Sequence, residues 1–536
     1  MTKFNRQTSV AQDLASRPDA TVNFEGGLAF ELTPLTRLYT RVMSTFVAEK
    51  TFYQSAQDHD AGLLEDIKLV AAIDPEFVLR LAAYARQVMY MRSVSVVLLA
   101  EAAAIPQCKP FVRKWTPQIL KRADELCEVI GYWVKRHGSI GDKGETGGKH
   151  AFPKSLSKGI ADAMCSFDEY QFAKYDRKKR AVTFRDMLRI VRPKPKTEKH
   201  SALFRYLVKG ELNPELLPLL AAKHALLRKE KFDDEAIELA RKSHATWQVL
   251  TSKFGSRAEV WNALNLPYMA ALRNLRNLLE KGAELDKVLA MIADPERVKY
   301  SRQLPFRFLS AYREVEKLQH PQVQQVLKAV SLALEASVMN LPRLPGVSFI
   351  TMDNSASMDD TLSEKSSVTC KDVANLLGSI AHTMCDQAVT SVFGTYHAVV
   401  NINPCDSIIT NMRRFANTRV EHATHAFKAV RHLRRTNTRV DRIILFSDMQ
   451  CYIPLHRGCQ TSLAVELERY RHQVNPRVVL YAVDLAGYGT AQFPESDQKV
   501  ATLAGWSEKL LNFIPLFEED GAQAVARIRS WSPDSH

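Results

Sequence analysis

Residues Phe349 to Met358 read FITMDNSASM. A β-branched, apolar run ends at Asp353 and turns through Ser355 and Ser357, giving D-x-S-x-S. An apolar run closed by a polar turn reads as a buried strand. In an open α/β sheet, ligands sit beyond the carboxyl ends of the strands. Alternate residues of a tight turn aim two hydroxyls and a carboxylate at one point. Such hard oxygens suit a divalent cation, Mg2+ first, which takes octahedral oxygen ligation and keeps some of its water. A second apolar strand, RIILFSDMQ (442–450), also ends in an acid, Asp448. Between them, HATHAFKAV (422–430) places Thr424 just before an amphipathic helix. The metal candidates are therefore Asp353, Ser355, Ser357, Thr424 and Asp448, from three loops at one sheet edge.

Outward from this motif the chain divides at LPRLPGVS (341–348), a Pro/Gly-punctuated junction. After it, strands alternate with helices. Strands are expected at Gly346–Met352, Arg442–Phe446 and Val478–Val483, with an extended stretch at Ser391–Ile402. Helices are expected near Lys371–Asp386, Ala423–Leu433, Leu463–Val474, Lys499–Leu503 and Asp520–Trp531. This alternation predicts a Rossmann-like, doubly wound parallel sheet over 346–536. The metal motif resembles the metal-ion-dependent adhesion site of von Willebrand factor A domains. Residues 1–345 read as helix after helix, without strands. In AGLLEDIKLVAAI the apolar positions Leu63, Leu64, Ile67, Val70 and Ala71 mark one face, and Pro75 opens the next helix. Similar stripes recur around 34–49, 94–104, 114–134, 214–228, 233–244, 266–279 and 319–339. They predict HEAT-like stacked helical hairpins, although no clean sequence repeat is present.

The 536 residues are 46% hydrophobic and 25% charged, which excludes wholesale disorder, collagen and a disulfide miniprotein. The longest apolar candidate for a membrane span, Val94 to Ala104, is interrupted by Glu101, and the first residues lack the apolar core of a secretory signal. A soluble, cytoplasmic protein without membrane association is expected. The eight cysteines form no C-x-x-C pair. No G-x-S-x-G, H-E-x-x-H or Walker loop occurs; in HGSIGDKGETGGKH (137–150) His150 stands where a phosphate loop needs Ser or Thr. No catalytic residue is identified.

The net charge of +14 lies in the first two thirds: residues 1–350 hold 54 Lys+Arg against 39 Asp+Glu. The densest stretch, 151–200, has 13 against 6. Lys154 and Lys158 are i, i+4 neighbours on a helix, as are Arg185 and Arg189. With Lys174, Arg177, Lys178, Arg180, Arg192 and Lys194 they form the candidate RNA-binding set, whose affinity would come from counterion release. Phe172, Tyr175 and Phe184 lie among them, either in the core or free to stack on bases. Arg273 and Arg276, in ALRNLRNL (271–278), either line a cavity or bridge neighbouring helices.

The chain as a whole resembles the Ro autoantigen family, built on the TROVE module. The likeness is carried by VWNALNLPYMAALRNL (260–275), YSRQLPFRFLSAYR (300–313), FITMDNSASM, RIILFSDMQ and the closing VVLYAVDLAGYG…WSEKLLNFI. It implies a monomeric ring: helical repeats forming a toroid, closed by the A domain. It implies binding of small structured Y-like RNAs on the basic outer surface and of single-stranded 3′ ends of misfolded RNAs in a central hole. A role in noncoding-RNA stability and quality control follows, with an exoribonuclease such as polynucleotide phosphorylase as a possible partner. The segment 156–195 matches the family's outer RNA-binding helices, with Lys158, Arg185, Arg189, Arg192 and Lys194 as positional counterparts. The family usually has Gly-Gly before the metal-loop Thr, where this chain has His422-Ala423.

Two other readings stay open on the residues alone. One is a metal-dependent protein-binding adaptor that captures an acidic partner, with incidental RNA affinity. The other is a metal-dependent nuclease, for which two acids at one ion give a starting point but no general base is visible.

Overall fold

A computed structural model describes residues 10–44, 47, 50–138, 140, 151–176, 180–364, 366–403, 405–451 and 461–533. It divides into two compact units. One comprises Ile67–Ile292, Lys317–Val326 and Trp531–His536; the other Met1–Asp66, Ala293–Glu316 and Leu327–Ser530. The boundaries differ from the expected cut at 345/346, because residues 1–66, 293–316 and 327–345 cluster with the α/β part.

The helical unit is built from helices packed on their near neighbours in the chain. Pro75–Gln87 packs on Ser93–Ala104 and on Lys109–Ile119, which in turn receives Lys154–Met164. Several of its helices begin where the sequence supplies an oxygen cap. Asp74, Asp168, Thr183, Thr197 and Asp233 each accept a backbone N–H of their own first turn. The stripe at 114–134 breaks at Leu120–Arg122 into two helices, Lys109–Ile119 and Ala123–His137. Gly159 allows a close helix contact: a Cβ there would lie 2.5 Å from the Thr116 hydroxyl.

Among its described residues the α/β unit carries nine strands: β1 (Ala20–Val22), β2 (Leu28–Glu31), β3 (Leu344–Asp353), β4 (Cys385–Phe393), β5 (His397–Val399), β6 (Arg442–Ser447), β7 (Val479–Asp484), β8 (Thr490–Ala491) and β9 (Val500–Ala504). Six form one sheet in the order β5-β4-β3-β6-β7-β9. All its pairings are parallel except β4 with the edge strand β5. Every residue of β6 is buried, as a central parallel strand with covered faces requires. β3 and β6 end side by side, Met352 opposite Phe446, so Asp353 and Asp448 emerge from adjacent strands at the carboxyl edge.

Several expectations are corrected. Lys499–Leu503 is no helix: β9 pairs there with β7 from Leu480/Val500 to Asp484/Ala504. The front of the chain is not strandless, since β1 and β2 form a hairpin that pairs with β8. The helix expected through Asp386 ends at Met384, and β4 starts at the next residue. Ser391–Ile402 is thus the end of β4, a reverse turn and β5. The helix after Thr424 begins at Phe427, and the last one spans Ala524–Ser530. Among the described residues no single helix is long and apolar enough to cross a membrane, and the seven described cysteines are all free.

Candidate metal site and basic helical face

The five oxygen candidates are all buried; none exposes more than 6% of its surface. Asp353 Oδ1 accepts the Ser355 N–H at 2.9 Å and Oδ2 the Ser447 hydroxyl at 2.7 Å. The Ser355 and Ser357 hydroxyls are 3.4 Å apart. Asp448 Oδ1 accepts the Gln450 N–H at 3.0 Å, while its Oδ2 is buried without a hydrogen-bond partner. Thr424 lies on a loop pinned to both flanking turns. His422 O accepts from Ala356 N at 3.0 Å, and His425 N donates to Gly394 O at 3.0 Å. Gly394 makes room for that loop, since a Cβ would stand 2.3 Å from Glu421 O.

Burial raises the Asp353 carboxyl above the usual carboxylate range. Asp448 is pushed up too, by burial first and then by the negative charge of Asp353. Two carboxylates in one water-poor place repel unless a cation or a proton neutralises them. The orphaned Asp448 Oδ2 and the paired hydroxyls are the donor set a small divalent ion takes. Among the described residues no group of three or more His, Cys, Asp or Glu is placed to share an ion, so the hydroxyl-rich cradle is the metal candidate.

Sequence reasoning missed Ser447, which orients Asp353; its only signal was a hydroxyl one residue before the second acid. Asn354, at the variable position of the motif, points inward, donating to Phe415 O and accepting from Asn375 Nδ2. Tyr53 also went unnoticed. Its hydroxyl bonds Glu25 and faces Ser357 and Asp448, and nothing in the N-terminal sequence announces this.

On the helical unit, Lys154 and Lys158 are both exposed on the Lys154–Met164 helix, and Arg185 and Arg189 are both exposed on Phe184–Val191. The two helices pack on each other, and the Cys165 thiol at the end of the first reaches Lys194 O at 3.6 Å. Arg192 and Lys194 continue the second row, exposed. Lys174 and Arg180 are half-buried; the Lys174 ammonium stands 5.2 Å from the Tyr170 ring. Arg177 and Lys178 lie outside the described residues. Phe172 and Phe184 are core, in an edge-to-face pair 5.0 Å apart, and cannot stack on bases. Tyr175 carries the Arg122 guanidinium at 4.5 Å. Arg273 and Arg276 are exposed, the latter paired with Glu280 at 2.8 Å.

A TROVE domain model matches residues 37–231 and 237–434. The chain belongs to the TROVE family. Relatives of this TROVE chain include telomerase protein component 1 of Rattus norvegicus, 28% identical over 338 residues, covering 53% of the chain and 13% of the relative. The Mus musculus protein of the same name is 28% identical over 319 residues, covering 48% and 12%. The chain thus spans about an eighth of the length of these curated relatives. Its fold is that of the crystal structure of the Deinococcus radiodurans Ro (RSR) protein. The two align at a TM-score of 0.64 and 17% identity, covering 91% of this chain and all of that one.

Proposed function

We propose that this TROVE protein is the RNA-binding component of a ribonucleoprotein particle, taking small structured Y-like RNA on its basic helical face. Family membership implies the coarser role, an RNA-binding ribonucleoprotein protein. The observation that carries the finer one is the double row of exposed cations, Lys154/Lys158 and Arg185/Arg189, on helices that pack together. Rows of cations on neighbouring helices follow successive phosphates, and their affinity falls with salt as counterions are retained. Capture of single-stranded 3′ ends, with Arg273 and Arg276 on the path, belongs to the same proposal. So do a role in noncoding-RNA quality control in the cytoplasm and an exoribonuclease partner.

The test is a salt titration with a labelled hairpin RNA. Changing Lys154, Lys158, Arg185 and Arg189 to Gln should weaken binding and lower the slope of log K against log salt by roughly 0.9 per lost duplex phosphate contact. An unchanged slope would remove this face from the reading.

The cradle at Asp353 supports a resident Mg2+, held by the two carboxylates and the Ser and Thr hydroxyls, which would supply a fixed positive charge to the sheet edge. That site is what favours the adaptor reading, in which the ion takes an acidic partner. Metal-dependent capture of an acidic peptide, with hairpin binding no tighter than nonspecific, would establish it instead. The nuclease reading ends if labelled RNA stays intact with the protein and Mg2+.

A further inference from the structure

The near-neutral C-terminal third conceals a local excess. Between Thr410 and Arg442 the sequence holds nine Lys+Arg against two Asp+Glu. Three of these arginines serve the fold: Arg431 and Arg434 pair with the buried Glu466, and Arg442 with Glu518. The others face solvent or the rim of an open groove of about 520 Å³ beside the edge strand β5. Arg413, Arg414, Asn417 and Thr418 line it. Arg413 and Arg414 are each more than 40% exposed, and they bridge Glu316 and Asp406. Pairs this wet contribute little, so either guanidinium can exchange its carboxylate for a phosphate at small cost.

Chain continuity joins the groove to an exposed ring. Arg419, exposed, follows Thr418 of the groove, and the next residue, Val420, accepts the Tyr396 N–H at 2.8 Å. Tyr396 stands on the β4–β5 turn with 55% of its surface in water, and the Lys428 ammonium lies 5.4 Å from its ring. A large aromatic held out of the core, with an ammonium beside it and a backbone hydrogen bond to the segment that leaves a basic furrow, is a platform on which a base stacks while phosphates run along the furrow. We propose that this edge of the α/β unit is a second RNA site, which takes single-stranded RNA with Tyr396 under a base and Arg413, Arg414 and Arg419 on the backbone. An acidic protein segment would satisfy the arginines but gives the exposed ring no role.

The inference rests on the RNA-binding reading, and its test separates the two. The full chain, as wild type and with Arg273→Gln and Arg276→Gln to silence the 3′-end path of the proposed function, is titrated by fluorescence anisotropy with a labelled 15-nucleotide oligouridylate and, separately, with the hairpin RNA. Tyr396→Ala is expected to weaken oligouridylate binding about 5- to 50-fold and leave the hairpin unchanged. Arg413→Gln with Arg414→Gln and Arg419→Gln should lower the oligouridylate salt slope by roughly 0.7 per lost contact. Unchanged melting temperatures show that these exposed substitutions leave the fold intact. Oligouridylate binding that ignores both variants, while the hairpin responds to the Lys154 and Arg185 rows, overturns this site and keeps the proposed function. Failure of the wild-type protein to bind either RNA overturns both. Displacement of oligouridylate by poly-glutamate at equal affinity, indifferent to Tyr396→Ala, overturns the RNA assignment in favour of an acidic protein.

Discussion

Asp448 and Glu466 are both buried acids, and their surroundings treat them oppositely. Burial pushes each carboxyl up. At Glu466 the Thr461 hydroxyl and the guanidinium groups of Arg431, Arg434 and Arg469 outweigh it, leaving the group below the usual carboxylate range. A depressed folded value gives stability that is present above the unfolded pKa of 4.5 and lost as pH falls through the folded one. Glu466→Gln should therefore cost about 2–3 kcal/mol at pH 7, a discounted figure because the arginines reach solvent. It should also flatten the loss of stability below pH 4.5. Urea melts of both proteins at pH 7 and pH 3.5 check the sign. Asp448 has no cationic side chain among its hydrogen-bond partners, and its Oδ2 is buried without a hydrogen-bond partner. Saturating Mg2+ should raise the wild-type melting temperature by several degrees over EDTA, since an ion bound only by the folded state at a hundred times its Kd adds about 2.7 kcal/mol. Asp448→Asn should remove that response and, by relieving the repulsion with Asp353, melt no lower than wild type in EDTA.

At the scale of elements, the basic rows depend on how two helices meet. Gly159 sits against Thr116, whose own hydroxyl returns to Val112 O at 2.7 Å and cannot swing away without losing that bond. Gly159→Ala should push the Lys154–Met164 helix off its neighbour and destabilise by about 1–3 kcal/mol, an overpacking cost. Thermal melting measures this, and hairpin RNA affinity should fall along with it. The same scale explains what the sequence revealed and what it hid. Long striped helices and the strands at 349–353 and 442–446 were legible because their periodicity or apolar run is unbroken. QKVATLAG (498–505) offers no such signal: its Ala and Leu favour a helix, and only the open edge of β7 makes it a strand. β1 and β2, with three and four residues, are too short for a pattern. The candidate acids Asp353 and Asp448 were readable because each follows the apolar run of a strand. Ser447 and Tyr53 were not, because nothing local marks a hydroxyl that acts across 94 residues or from another segment.

At the scale of the molecule, the α/β unit is assembled from stretches far apart in the chain. The β1–β2 hairpin holds β8 and also clasps the loop after Asp448. Asn23 Nδ2 donates to Cys451 O at 2.8 Å, Phe24 N to Gln450 Oε1 at 2.9 Å, and a Cβ on Gly27 would stand 2.2 Å from Cys451 O. Gly27→Leu should pry this clasp open. In a Cys405→Ser background, thiol titration should then find one additional fast-reacting cysteine, Cys451, which the wild type buries at 5% exposure. The global charge of +14 gave no hint of this clasp, nor of the basic groove beside β5.

The pairing of Phe30 with Ala491 also sets a timetable for synthesis. A ribosome adding about 5–20 residues per second releases the early hairpin roughly half a minute to a minute and a half before its third strand exists. For that interval Phe30, later wholly enclosed, stays wetted on a nascent polypeptide. A nascent polypeptide that exposes this ring offers a holding chaperone a place to bind until β8 has been made.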